Sequence, residues 1–597
     1  MAAEALTRQD DAAFGVARSF SDRRWILRDG GDEAARALAR TAGISPMLAH
    51  ILAARGVVPD ALGDILDPTL KRLLPEPLTL KDMDKAVARA RTAIEGGEKI
   101  AVFGDYDVDG SSSAALLHVF LTAIGCAPRL YIPDRMTEGY GPNAPALLAL
   151  KAEGAGLVLT VDCGAAAVAP LAVAREVGLD VIVLDHHVVE TLPPALAQVN
   201  PNQPGDTSGL GHLCAAGVTF LFVVALNRAL REAGWYAAQG IAEPELIRLL
   251  DLVSLATVCD VVPLMGVNRA FVRAGLARLF ALERPGFAAL AEICRVAPPF
   301  TPYHLGFVFG PRINAGGRVG RCSLGVELLT AETAEAALPL ARALDRCNRE
   351  RQAIEAMILD EAMAAAALQD NAPFVLAADA GWHPGVVGIV AGRLKDRFDK
   401  PAFVVGFEDE TGRGSARSVP GFDIGAAVRA AREEGILESG GGHAMAAGFG
   451  LRAERLDAFR EFLAAHFANA STILSETRAL HLDAALAPSA ARVELVEEIA
   501  RAGPFGAGNP EPLVALPDVR VAFADVVGRD HVRLRLTGGD GARLDAIAFR
   551  AATAPLGEGL LASRGRAIHA AGRLRADSWN GRTRVQLQIV DAAPAGA

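Results

Sequence analysis

Cysteine is sparse and unpaired. The chain has seven, none in a CxxC spacing. An odd, scattered set gives no disulfide framework and no metal-binding pair, and leads us to expect reduced thiols in a cytoplasmic protein. Long apolar runs are missing too, so no membrane span is expected. Met1 to Asp11 carries no apolar stretch of the kind a secretory signal needs. Positive charge is in deficit, with 60 Lys and Arg against 70 Asp and Glu, a net charge of -10. That balance argues against a protein held to nucleic acid by its overall charge, although a local basic channel stays open. Aromatic residues are few, at 6%. What is plentiful is apolar aliphatic character. With 51% hydrophobic and 22% charged residues over 597 positions, the chain can build several domains, each with its own core.

Residues 1 to about 70 read as mostly helical, broken at Pro46 and Pro59. An α/β rhythm begins at Ile100. Ile100-Ala101-Val102-Phe103, Leu157 to Val161 and Val181 to Leu184 are short apolar runs, each closely followed by Asp. Ser111 to Ile124 reads as a helix. Such alternation predicts a parallel sheet covered by helices, with ligands beyond the carboxyl ends of its strands. Glu327 to Leu368 is a helical connection, and a second, Gly-rich α/β block runs from Phe374 to about Leu451. Five β-rich segments follow: Val519 to Phe523, His531 to Leu536, Leu544 to Phe549, Ala567 to Leu574 and Arg584 to Val590. They fit a small barrel.

The chemistry concentrates in Gly104-Asp105-Tyr106-Asp107-Val108-Asp109-Gly110 and in Asp185-His186-His187. Backbone continuing extended past the first strand would point Asp105, Asp107 and Asp109 to one side. Crowded carboxylates repel by about 4 kcal/mol per pair at ~4 Å and an effective dielectric of ~20. Cations or protonation must relieve this. Carboxylate with imidazole is the donor set of a divalent ion such as Mn²⁺. An EF-hand is disfavoured, because the twelfth position from Asp105 is Leu116, where that loop needs a bidentate Glu. A solvated acidic turn or a helix N-cap stays open for any one Asp alone. Asp162 and Asp260, each after an apolar segment, are weak signals singly. The four clusters together are far more specific.

Taken together, Asp105 to Gly110, Asp162, Asp185-His186-His187 and Asp260 resemble the four motifs of the DHH phosphoesterase superfamily, and within it the RecJ family. Further stretches carry the resemblance: Leu74 to Met83, Gly139-Tyr140-Gly141-Pro142-Asn143, Arg312 to Arg318, Gly440 to His443, and Pro504 to Pro512. The resemblance implies a multi-domain α/β chain. Its parts are an N-terminal helical extension over 1–70, a DHH-type parallel-sheet domain over 71–326, a helical linker over 327–370, a DHHA1-type α/β domain over 371–455 and an OB-fold β-barrel over 475–595. It implies a single-stranded-DNA-specific exonuclease working 5′ to 3′ by two-metal hydrolysis to 5′-mononucleotides, in recombination and repair. Asp105, Asp107, Asp109, Asp162, His186 and Asp260 would surround two Mn²⁺ or Mg²⁺ ions, with Asp162 bridging. Asp162, Asp185 and His187 would form the catalytic group, His187 facing the scissile phosphate. Arg135 would bind a 5′-phosphate. Arg312, Asn314 and Arg318, on a Gly-bearing loop, and Ser415, Arg417, Ser418, Gly441, Gly442 and His443 would contact the strand. The tail, with Arg520, Arg533, Arg535 and Arg573 but few aromatics, would hold DNA chiefly by its backbone. A helicase and a single-strand-binding protein are implied as partners, and no membrane. Two other readings are a phosphodiesterase of short oligonucleotides or cyclic dinucleotides, and a non-catalytic replication scaffold.

Overall fold

Ile100-Ala101-Val102-Phe103 offers no polar side chain to either face, and the structure buries it on both. In this computed structural model, residues 12–135, 137–369, 372–468, 479–579 and 582–596 are described. Met1 to Asp11, and with it the expectation about a signal segment, lies outside them. Among the described residues no helix is long and apolar enough to cross a membrane. The chain divides into two compact units: 68–467 with 506–509, and 1–67 with 468–505 and 510–597.

After helices Leu70–Leu73 and Met83–Glu95, the first unit builds a sheet from β1 (Lys99–Gly104), β2 (Arg129–Tyr131), β3 (Ala155–Val161), β4 (Asp180–Leu184) and β5 (Ala197–Val199). They pair in the order β2-β1-β3-β4-β5, all parallel. Alternate residues feed two cores. Ile100, Val102, Leu159 and Ile182 face one, and Ala101, Phe103, Val158 and Val183 the other. β2 and β3 flank β1 on opposite sides, which opens a crevice at the carboxyl ends. The register makes those ends level: Gly104 lies opposite Val161, and Val161 opposite Leu184. The next residue of each strand is therefore an aspartate at the same height: Asp105, Asp162 and Asp185.

The expectation that the first three aspartates continue an extended strand is corrected here. The chain turns at Tyr106 and enters α1 (Val108–Ala123). Asp107 is its N-cap, its Oδ1 accepting from Gly110 N at 3.0 Å. Asp109 sits in its first turn. A Cβ on Gly110 would lie 2.5 Å from the Asp105 carbonyl oxygen, so only glycine lets the helix start so close to the strand. α2 (Ala215–Glu232) and α3 (Leu250–Cys259) pack against α1. Arg312, Asn314 and Arg318 lie not on a loop but on α4 (Gly310–Val319), whose glycines permit close helix packing.

A 34-residue helix, α5 (Ala334–Ala367), leads on, its first turn capped by Thr333 and Pro339 lying inside it. It gives Ala337, Ala341 and Leu344 to the first core, and Ile358, Ala362 and Ala366 to that of the next domain. That domain has β6 (Val375–Ala380), α6 (Val387–Phe398), β7 (Ala402–Glu408), β8 (Thr411–Arg417), α7 (Ile424–Glu433), β9 (Ser439–His443) and β10 (Ala446–Arg452). Its sheet runs β9-β10-β8-β7-β6, parallel only between β6 and β7. The stretches expected as substrate loops, Gly412 to Ser418 and Gly440 to His443, are thus mainly the strands β8 and β9.

In the second unit, strands Val514–Val527, His531–Thr537, Arg543–Ala548, Arg582–Pro594 and Ala567–Trp579 pair in that order, and the last returns to the first. This closes a five-stranded barrel of OB type. The N-terminal segment holds the helices Asp32–Ala42, Pro46–Ala54 and Leu62–Leu66, and a strand besides. Arg24–Leu27 is a strand pairing in parallel with Ala479–Leu482. Trp25 is fully buried, and its indole N–H donates to Asp591 Oδ2 at 2.9 Å. Arg55 forks onto Asp483 at 2.9 and 3.0 Å. Trp25→Ala is expected to cost this unit about 3–5 kcal/mol, read as a lower denaturation midpoint of barrel signals.

Candidate metal and phosphate site

Level strand ends put three carboxyls together, and helix packing adds the rest. Ligand atoms of Asp105, Asp107 and Asp162 lie within 4.8 Å of one another, as do those of Asp109, His186 and Asp260. The two groups meet where His186 Nε2 stands 3.4 Å from Asp162 Oδ1, and 3.8 Å from both Asp109 and Asp260. Asp162 adopts φ 59°, as does Val261 beside Asp260. A left-handed β-branched residue is uncommon and costly. Here it accompanies the turn that follows α3 and places its C-cap, Asp260.

Charge in this cluster is not balanced by side chains. Burial, then neighbouring carboxylates, pushes Asp105 and Asp162 well above the usual carboxyl range. Burial, Asp109 and Asp107 push Asp260 up to about 9. Burial also raises Asp109, although the backbone N–H groups of Ala215 and Ala216, at the start of α2, donate to it at 2.6 and 2.8 Å. Asp105 Oδ1 is buried with no hydrogen-bond partner. An orphaned acceptor among five carboxyls and an imidazole fits one or more divalent cations, which would satisfy it and cancel the repulsion.

Asp185 does different work. It accepts from Ala165 N, His186 N, His187 N and His187 Nδ1 at 2.7 to 3.2 Å. Burial favours its neutral form, but the His187 hydrogen bond and charge hold it below the usual range. Burial likewise opposes a charge on His187, yet Asp185 lifts that imidazole to about 9. Asn200 and Asn202 hold the His187 and His186 carbonyls at 2.8 and 2.6 Å. The Tyr140 hydroxyl donates to the Asp162 carbonyl at 2.8 Å, and its ring stands edge-on to His187 at 6.0 Å.

A cavity of about 260 Å³ opens on the carboxylates and is also lined by Tyr106, Arg135, Tyr140, His187, Asn314 and Arg318. Two arginines, Arg135 and Arg318, share that lining with the carboxylates. Arg318 Nη1 donates to the Gly385 carbonyl at 2.7 Å. Burial, then Arg135, Arg351 and Arg417, draw its pKa down to about 10. Arg135 lies over the Tyr106 ring at 5.3 Å. Arg417 donates to Ser415 Oγ at 3.0 Å, and both stand against Gly388, where a Cβ would meet them at 3.2 and 3.0 Å. Asn314 Oδ1 accepts from Val108 N at 3.1 Å, tying α4 to α1.

The structure therefore gathers Asp105, Asp107, Asp109, Asp162, His186, His187 and Asp260, with Arg135, Asn314 and Arg318 alongside. The other expected contacts, Arg312, Ser415, Arg417, Ser418, Gly441, Gly442 and His443, do not line the cavity. Arg312 is paired with Asp345 at 3.0 Å and with the Val308 carbonyl. The Ser418 hydroxyl is buried on the Phe422 carbonyl. Gly441, Gly442 and His443 lie on the edge strand β9. Tyr106, Tyr140, Asn200 and Asn202 were not singled out as site residues from the sequence. Their proximity to Asp105 and His187, and the pair Asn200-Pro201-Asn202, are the signals that could have found them.

A parallel sheet whose level strand ends present Asp, Asp and Asp-His-His defines a DHH-family domain, and residues 99–257 match the DHH family, N-terminal domain. Residues 371–469 match the DHHA1 domain and 482–591 the RecJ OB domain. The single-stranded-DNA-specific exonuclease RecJ of Bacillus subtilis strain 168 is 34% identical over 579 residues, 96% of this chain and 71% of that one. The Escherichia coli K12 protein of the same name is 36% identical over 531 residues, 86% and 90% of the two chains. The crystal structure of RecJ in complex with Mn²⁺ from Thermus thermophilus superposes with a TM-score of 0.78 at 30% identity, covering 96% of this chain and 80% of that one. The chain belongs to the RecJ family.

Proposed function

We propose that the chain is a metal-dependent exonuclease that degrades single-stranded DNA 5′ to 3′ to 5′-mononucleotides, in recombination and repair. The observation that carries the chemistry is the orphaned Asp105 Oδ1 among five aspartates, in a cavity also lined by Arg135 and Arg318. The relatives' names supply the substrate. In this reading Asp105, Asp107, Asp109, Asp162, His186 and Asp260 would hold the cations. Two Mn²⁺ or Mg²⁺ ions there would lower the pKa of water and neutralise charge building on the phosphate oxygens. Asp185 holds the His187 ring through Nδ1 at 2.8 Å and favours its charged form, whose second N–H would meet a developing phosphate charge. Arg135 and Arg318, backed by Arg417, receive the terminal 5′-phosphate. In this reading a cavity of about 260 Å³ would take the end of one strand and not a paired end. Residues 71–326 would carry catalysis, 371–455 and 475–595 the strand. Ser415 and, from β9, Gly441, Gly442 and His443 would contact it outside the cavity. We place the protein in the cytoplasm, with a helicase and a single-strand-binding protein as partners, on family resemblance.

The test is product analysis on end-labelled single- and double-stranded DNA. EDTA should stop turnover and Mn²⁺ or Mg²⁺ restore it. Mononucleotides should leave from 5′ ends of single strands while blunt duplex survives. Internal cuts, release from 3′ ends, or activity confined to dinucleotides would overturn the reading.

A further inference from the structure

The chain is helical without a break from residue 302 to 319, π-wound over His304–Phe309 and α-helical over α4. One face of this run carries Tyr303, Phe307, Pro311, Asn314 and Arg318, at spacings of four, four, three and four. Its lower part lines the carboxylate cavity through Asn314 and Arg318. Its upper part is open. Tyr303 is 63% and Phe307 73% exposed, while Leu305, Phe309 and Ile313 behind them are buried. The two exposed rings stack on each other, centroids 5.3 Å apart and 23° from parallel. The run is clamped to the end of α3. Cys259 Sγ donates to the Leu305 carbonyl at 3.4 Å, and a Cβ on Gly310 would lie 2.4 Å from that sulfur. The next residue is Asp260, so the rings are fixed relative to a proposed ligand of the site. Phe307 lies seven residues from Asn314, about 10 Å along the helix.

We propose that Tyr303 and Phe307 form a stacking platform for the bases of a single strand whose 5′ end occupies the cavity. The proposal rests on the exonuclease reading and adds a second contact region to it. Two large rings left in water add little to folding, so their worth lies in what covers them. The platform is continuous with a site built for a phosphate ester, and bases stack on aromatic faces irrespective of sequence. π-bulges inside helices are frequent at functional sites, and of the stacked rings Phe307 lies in, and Tyr303 immediately before, such a π-wound stretch leading into α4. A substrate longer than one nucleotide, leaving the cavity along this face, would meet the rings first.

The experiment is a cycle between protein and DNA. An abasic site is scanned through about nucleotides 2 to 6 of a 5′-phosphorylated single strand, at 3.4 Å or more per nucleotide. With the unaltered chain, KM should rise at least about fivefold at one or two positions, the lower end of what one stacked base is worth. The rise should vanish in Tyr303→Leu/Phe307→Leu and persist in Phe307→Trp, which guards against a folding defect in the double variant. Equal abasic sensitivity in the Leu pair overturns the platform, as does no sensitivity in the unaltered chain. Protein self-association that the Leu pair abolishes, with abasic sensitivity unmoved, also overturns it. Should the unaltered chain hydrolyse no single strand at all, the exonuclease reading itself fails. The platform is then read separately. In EDTA, quenching of Phe307→Trp fluorescence by oligo(dT) but not by its abasic counterpart supports it, and no quenching overturns it.

Discussion

Asp162→Asn should leave the fold intact, abolish turnover, and raise the melting temperature measured in EDTA. Asn tolerates the left-handed backbone that residue 162 adopts. The Tyr140 contact goes to the main-chain carbonyl and survives. What disappears is the carboxylate nearest to both halves of the cluster, 3.4 Å from His186 and grouped with Asp105 and Asp107. Without cations the native chain crowds these charges or protonates them at a cost, so removing one relieves the folded state. Activity should fall by more than ~100-fold, beyond the loss seen on removing a group behind a ligand. The stabilisation that Mn²⁺ gives the native chain should shrink sharply as well. Calorimetry with and without Mn²⁺ checks both halves. A variant destabilised in EDTA, or robustly active, would reject the assignment.

Arg135→Ala and Arg318→Met should each lower kcat/KM by roughly 10- to 100-fold on strands with a 5′-phosphate, the scale of a lost charge-assisted hydrogen bond. On 5′-hydroxyl strands the loss should be much smaller. Burial and other arginines lower the Arg318 pKa to about 10, and a bound phosphate there would relieve that crowding of charge. The measurement is steady-state kinetics on matched oligonucleotides. Equal losses on the two ends would show that these residues hold the fold and not the phosphate.

The sheet and the carboxylate cluster were legible because both follow from short-range rules. Apolar runs of four or five residues set the parallel strands, and an Asp at each carboxyl end falls where such sheets bind ligands. The helix start at Val108 was less legible. Spacing of two along Asp105, Asp107 and Asp109 suits an extended chain as well as a strand that turns into a helix. Only the Gly110 approach to the Asp105 carbonyl decides it. Arginine roles were harder still. Arg312 and Arg318 share one helix, yet one meets Asp345 and the other the cavity, and that choice depends on α5. The strand at Arg24–Leu27 was unreadable locally, since its partner Ala479–Leu482 lies more than four hundred residues away.

That distant pairing has a consequence for synthesis. Trp25 and its acceptor Asp591 are separated by 566 positions. At 5–20 residues per second the ribosome needs roughly half a minute to two minutes to deliver the second after the first. Residues 68–467 have all their own core by then and can finish first. The strand around Trp25 meanwhile has neither its partner strand nor an acceptor for its indole until the chain has been made as far as residue 591.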